Sequence, residues 1–202
     1  MKNIMAALLV LLILPAWSVA EPVEGRNVSS EGFNFVLPPQ WNMPKDKQPK
    51  GRKKAKEKIV VLTKDGFQLN EVEFRKRLLT TEFGHTKKLL AAGMMPQEMA
   101  EVVLNDFELN QSMKNLKVIE NKPATIAGIP GVRLVYSYRS NGRLQYQEVL
   151  YGFQKDGKFY SILYSAPKRH YYDTNLQTFE SIVKTMTLDQ EGSGQGNTGG
   201  EI

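Results

Sequence analysis

Apolar and polar residues alternate most cleanly between residues 132 and 164. Val132, Leu134, Tyr136 and Tyr138 fall on one side of the alternation, and Arg133, Val135, Ser137 and Arg139 on the other. A period of two is that of a β-strand with one covered face. Asn141-Gly142 follows, a pair that favours a two-residue hairpin with positive φ at both positions. Leu144–Phe153 returns, Asp156-Gly157 turns again, and Phe159–Tyr164 completes a three-strand antiparallel meander ended by Pro167. Upstream, Phe33–Leu37 predicts a short strand closed by Pro38-Pro39, with Trp41 packing just after it. Ile59–Leu62 is a β-branched strand, and Asp65-Gly66 predicts a tight turn. The stretch Phe67–Leu79 returns as a strand, with Glu71, Glu73, Arg75 and Arg77 sharing its wet face. Leu116–Ile119 is a further strand, before a turn region at 127–131.

Three stretches carry a helical period. Residues 84–93 and 96–112 form the first pair. In the second of these, Met99, Val102, Val103 and Phe107 make a stripe, Pro96 suits the first turn, and Glu98 and Glu101 suit the positive end of the helix dipole. Residues 174–186 place Leu176, Phe179, Ile182, Val183 and Met186 three and four apart, with Asp173-Thr174 as the expected cap. That stripe belongs across the sheet.

The ends read differently. Lys2 precedes eleven unbroken apolar residues, Ile4–Leu14, and Pro15 and Ser18-Val19-Ala20 follow. The run makes a helix of about 16 Å, half the ~30 Å of a bilayer core. The layout is that of a signal peptide cut after Ala20, so the protein is expected to be exported, to the periplasm or the medium. No cysteine follows for lipid attachment, and no later stretch is apolar enough to span. Residues 21–30 and the Gly-rich tail 189–202 are polar and are expected to be flexible. What is left, 31–188, is one domain large enough for a proper core.

The chain has no cysteine and two histidines, and its formal net charge is +6. Lacking cysteine excludes disulfides, thiol nucleophiles and thiolate metal sites. The basicity is local. Segment 44–58 carries Lys45, Lys47, Lys50, Arg52, Lys53, Lys54, Lys56 and Lys58 against Asp46 and Glu57, a net of +6. The rest of the chain after the signal peptide balances to −1. Such a segment, broken by Pro44, Pro49 and Gly51, suits an exposed loop that attracts anionic headgroups or acidic proteins. Nucleic acid is not expected for an exported chain.

Chemistry is sparse. His170 and Asp173 stand three apart, a helical spacing that starts a metal site if His85 lies nearby to supply a second histidine, or that sets His170 as base and Asp173 as its orienter for a hydroxyl nucleophile. No serine sits in a nucleophile elbow. Glu98 with Glu101 and Asp106 with Glu108 read as a solvated helix face, and Gly128 and Gly131 as a turn. Tyrosines 136, 138, 146, 151, 160 and 164 read as core. The chain is expected to be a non-enzymatic binding or assembly protein without a cofactor. Its partner is expected to be a protein or an anionic envelope component. A hydrolase or metal site at His170, Asp173 and His85 is the alternative.

Phe35-Val36-Leu37-Pro38 with Trp41, and Phe159-Tyr160-Ser161-Ile162-Leu163-Tyr164-Ser165-Ala166-Pro167 before the Phe179 helix, resemble the PsbP-like superfamily. That superfamily is named for an extrinsic protein of the photosynthetic oxygen-evolving complex, and a eukaryotic nuclear-transport factor that binds the Ran GTPase shares its fold. Segments His85–Lys88, Met95–Glu98 and Ala166–Tyr171 resemble a narrower group of proteobacterial secreted or lipid-anchored proteins. The resemblance implies an α+β fold over about 31–188, an α/β/α sandwich whose mostly antiparallel sheet is covered on both sides. It also implies binding or assembly rather than catalysis, and carries no ligand residues onto this chain.

Overall fold

The computed structural model describes residues 25–44 and 57–189. Six strands form one antiparallel sheet in the order β3 (Glu57–Leu62), β4 (Glu71–Leu78), β8 (Lys158–Pro167), β7 (Gln145–Lys155), β6 (Ile129–Arg139) and β5 (Lys114–Ile126). A second sheet joins β1 (Arg26–Ser30), β2 (Phe33–Leu37) and β9 (Thr187–Leu188). Helix α1 (Pro96–Glu108) lies on one face of the large sheet. Helix α2 (Asp173–Thr185) and the small sheet cover the other. The fold is α+β, with an antiparallel sheet sandwiched between these layers.

The meander is there, and it is longer than the alternation shows. β5 precedes it and turns into β6 at Ala127 and Gly128, with φ of 49° and 77°, so the turn region of 127–131 shrinks to two residues. Asp156 and Gly157 make the same kind of turn, with φ of 49° and 69°. Asn141-Gly142 does not. There the left-handed residue is Arg143, at φ 65°. Arg143 N–H donates to the Ser140 carbonyl and Ser140 N–H to that of Leu144, each at 2.9 Å, so the loop is wider by a bulge.

Several boundaries move for identifiable reasons. Residues 26–30 are not a flexible lead; they pair with β2 from Arg26↔Leu37 to Ser30↔Phe33, and Val28 packs on the core. β3 starts at Glu57, two residues inside the expected basic loop. Asp65-Gly66 is part of a longer connection between β3 and β4. The buried Asn70 side chain organises it, accepting from Lys64 N–H at 2.8 Å and Asp65 N–H at 3.0 Å. Residues 84–93 form no helix. Lys87 at φ 59° and Gly93 at φ 77° interrupt it, and Asp106 competes for its amides. α1 stops at Glu108. Tyr172, with no capping side chain, precedes α2, so Asp173-Thr174 is not its cap. The signal peptide, residues 45–56 and the tail beyond Asp189 lie outside the described residues.

Two cores result. One joins Phe33, Phe35 and Leu37 of β2 to Val72, Phe74, Ile162 and Tyr164 of the sheet and to Phe179, Ile182 and Val183 of α2. Phe153 stacks on Tyr160 at 5.2 Å, and Tyr164 on Phe179 at the same distance. The other joins Met99, Ala100 and Val103 of α1 to Leu134, Tyr136 and Leu150, with Phe83 and Leu90 from the irregular segment. Arg133 ties β5, β6 and α2 together, contacting Glu120 and donating to Glu180 at 2.7 Å. The outer strand β5 shifts register between Lys114 and Lys117 and between Val118 and Glu120. It carries Lys117, Lys122 and Pro123 along its exposed edge. No helix among the described residues is long and apolar enough to cross a membrane.

Candidate functional site

α1 packs chiefly on β5, β6 and β7. The same face of β4 and β8 is left without a helix, and a cleft of about 970 Å³ opens there. Period two sets its floor. The odd positions of β4 and β8 face it, as do the even positions of β6 and of the first half of β7, while Val72, Phe74, Ile162 and Tyr164 face the first core. The register then aligns Glu71 with Ser165, Ser165 with Glu148, and Glu148 with Tyr136 across four neighbouring strands. The charged face read on β4 is therefore the wall of a cleft.

Glu148 is the centre of this row and is 5% exposed. Its Oε1 accepts from Ser165 Oγ at 2.6 Å and from the Tyr138 hydroxyl at 2.9 Å. Burial pushes its carboxyl up, and those donors pull it partly back. Glu71 is pushed up to about 8, first by burial, then by its hydrogen bond to Glu73 and the charge of Glu73. Arg75 is committed to Glu73, with Nε donating to Oε2 at 2.5 Å. Arg77 donates to the Thr81 carbonyl and lies over the Phe83 ring, 4.0 Å from its centre. Tyr138 and Tyr146 stack at 5.7 Å and 13° beside the row. The Tyr146 hydroxyl donates to the Gln68 carbonyl at 3.0 Å.

Asp106 is not part of a solvated face. It is buried, and its Oδ1 accepts from the amides of His85 and Thr86, each at 2.8 Å, and from Thr86 Oγ1 at 3.1 Å. It pins the irregular segment to α1. This places His85 at the mouth of the cleft, exposed. His170 is exposed in the turn 168–172, at φ 74°, before α2 begins at Asp173. It therefore lacks helical spacing to Asp173, and its carbonyl accepts from Thr174 Oγ1 at 2.6 Å. The two histidines sit on segments attached to opposite faces of the sheet. Among the described residues no three His, Cys, Asp or Glu side chains gather as metal ligands, and no hydroxyl hydrogen-bonds an imidazole. Lys45, Lys47, Lys50, Arg52, Lys53, Lys54 and Lys56 lie outside the described residues, and Lys58 stands in β3.

Glu148 and Ser165 carry no motif, and only the strand register brings them to Glu71. The signal available in the sequence was Glu148 itself, a carboxylate directly before the apolar run Val149–Phe153.

A model of the family described as PsbP-like protein matches residues 23–187. The chain belongs to the PsbP-like family. No curated protein matches it by sequence. Among solved structures it is similar to the cyanobacterial PsbP of Synechocystis sp. PCC 6803, at 12% identity and a TM-score of 0.56, covering 87% of this chain and 99% of that one. The Ran-binding protein Mog1p of Saccharomyces cerevisiae aligns at 7% identity and 0.51, over 83% and 96%. LpqN of Mycobacterium tuberculosis, described as involved in cell envelope biogenesis, aligns at 13% and 0.50, over 82% and 90%. At these identities the PsbP-like protein shares a fold with them.

Proposed function

We propose that this PsbP-like protein is an exported, non-catalytic binding protein of the cell envelope that takes its partner in the cleft between α1 and the β4–β8 edge of the sheet. The observation that carries this reading is the polar floor. A sheet face that only closed a core would bury apolar side chains, whereas here Glu71, Glu73, Arg75, Ser161 and Ser165 line a space large enough for a ligand. A hydrolytic reading needs a nucleophile beside an oriented base. The hydrolytic candidates do not meet it: no hydroxyl among the described residues donates to His85 or His170, and His170 is not in helical register with Asp173. Export rests on the signal-peptide layout, and protein binding is the role named for the Mog1p relative. The basic segment, net +6 over residues 44–58, brings the chain to anionic surfaces.

A photo-crosslinking residue tests the site. Placed at Leu144, 54% exposed at the rim, it should yield adducts in the native envelope that one at Lys184, on the opposite α2 layer, does not. Adducts from Lys184 alone would overturn the reading. Intact mass of the same material should place Glu21 first; a retained Met1 would overturn export.

A further inference from the structure

Asn141-Gly142 predicts a tight turn and does not make one, which leaves the pair open to other chemistry. Of the chain's asparagines, Asn141 alone precedes a glycine. The loop is closed by Ser140 N–H on the Leu144 carbonyl and by Arg143 N–H on that of Ser140, so residues 141 and 142 stand outside the ladder. Both are exposed. Among the described residues no backbone carbonyl accepts from the Gly142 N–H. The Asn141 Nδ2 donates to Ser112 Oγ at 3.5 Å, longer than the usual N–H···O range.

An asparagine side chain is open to attack by the backbone nitrogen of the next residue, which closes a five-membered ring. A side chain on that residue crowds the approach, and glycine has none. The buried asparagines are held away from this route. The Asn70 amide is tied to Asp65 and to the Lys64 and Asp65 N–H groups, and that of Asn175 donates to the Tyr171 carbonyl.

We infer that Asn141 is a site of spontaneous backbone modification, where the Gly142 nitrogen closes on Asn141 Cγ and water reopens the ring to aspartate or isoaspartate. The Gly142 nitrogen gives its proton to hydroxide and bonds to Cγ. The Cγ–Nδ2 bond breaks, and the nitrogen leaves as ammonia with a proton from water. Water then adds to one of the two carbonyls of the succinimide. Breaking the bond from the Gly142 nitrogen to Cγ gives aspartate. Breaking its bond to the main-chain carbonyl gives isoaspartate, whose chain runs through Cβ and Cγ. Water is consumed, ammonia is released, and nothing is oxidised or reduced.

The effect falls on the mouth of the cleft, which Asn141, Gly142 and Leu144 line. The new carboxylate is ionised at neutral pH. It enters a corner that holds Arg139 and Arg143 of the same hairpin, with Lys114 opposite Arg139 on β5. Isoaspartate also adds a methylene to the main chain inside the Ser140–Leu144 closure, which displaces Leu144. The chemistry is that of the loop alone and holds whether or not the cleft takes a partner.

Full-length protein kept in water enriched in heavy oxygen, at neutral and at mildly alkaline pH, tests this by peptide mapping at intervals. Digestion at acid pH in ordinary water leaves any later conversion unlabelled. The peptide carrying Asn141 should become an acid bearing heavy oxygen, as isoaspartate and aspartate together, and sooner at alkaline pH. Peptides carrying Asn70 and Asn175 should stay amides over the same period. Gly142→Ala should slow the conversion by about tenfold or more, a barrier raised by about 1.4 kcal/mol. That variant keeps the fold, because a Cβ at Gly142 meets nothing closer than Ser140 Oγ at 3.8 Å, and its melting temperature checks this. Aspartate without isoaspartate would overturn the ring, as would equal rates in wild type and Gly142→Ala. Asn141 remaining an amide while a synthetic peptide of residues 138–147 converts would overturn the site, because the folded loop would then hold the pair apart.

Discussion

Ser165 and Glu148 sit opposite one another on β8 and β7, and the serine Oγ donates to Glu148 Oε1 at 2.6 Å. With the Tyr138 hydroxyl at 2.9 Å, this pair decides how a carboxyl can stay inside the second layer. Ser165→Ala should cost about 1–3 kcal/mol, the usual penalty for stripping a partner from a buried polar group. Urea unfolding at fixed pH checks it; no change in midpoint would mean that the carboxyl simply turns to the cleft.

Glu71 predicts how stability depends on pH. Its folded-state carboxyl is raised from the ordinary 4.5 to about 8. In that window the folded state holds a proton that the unfolded state has lost, so stability declines as pH rises. The contribution is full below about 4.5 and gone once pH passes about 8. Glu71→Gln should flatten the decline across that range. A melting series in which wild type and variant run parallel would refute it.

Phe179 is fully buried and stacks on Tyr164 at 5.2 Å. Phe179→Ala should destabilise by about 3–5 kcal/mol. Chemical denaturation measures this directly, and a loss below about 1 kcal/mol would mean that α2 contributes little to the first core.

The 140–144 loop gives a prediction opposite to the one its sequence invites. Gly142 is not in the left-handed region, and a Cβ there meets nothing closer than Ser140 Oγ at 3.8 Å. Gly142→Val should therefore change stability by less than about 0.5 kcal/mol. Arg143, at φ 65°, bears the strain, and Arg143→Gly should stabilise by up to about 1 kcal/mol. Melting temperatures of the two variants order the residues; a large loss at Gly142 would contradict the geometry.

Neutralising Lys50, Arg52, Lys53, Lys54 and Lys56 with glutamine should leave stability nearly unchanged, since the sequence predicts an exposed loop there and exposed charges contribute little. It should reduce sedimentation with anionic vesicles, and wild-type binding should weaken with added salt. Wild-type protein that ignores such vesicles at low salt would reduce the segment to a linker.

Much of the architecture was legible where local pattern and tertiary demand coincide. Val132, Leu134 and Tyr136 alternate because one face of β6 lies under α1, and Phe179, Ile182 and Val183 step by three and four because α2 lies on the other face. Residues 84–93 misled because Leu89 and Leu90 supply an apolar pair, while the amides of His85 and Thr86 go to Asp106, twenty residues away. β1 was hidden by its polarity: its outer residues are exposed and only Val28 reaches the core. The cleft was half legible. Period two put Glu71, Glu73 and Arg75 on one side of β4, but their meeting with Glu148 depends on strand order and register, which no single segment encodes.

The outer strand β5 has a consequence for how these molecules meet. A seventh strand would have to match two breaks in spacing, at Lys114/Lys117 and Val118/Glu120, and to pass lysines and a proline that withhold an amide. Growth along the sheet is thus hindered at that end. Val118 and Ile119 stand half exposed there, beside the second break in register. A chain that adds a strand to this sheet is turned away from β5 and towards the opposite edge, β3, whose register with β4 is unbroken.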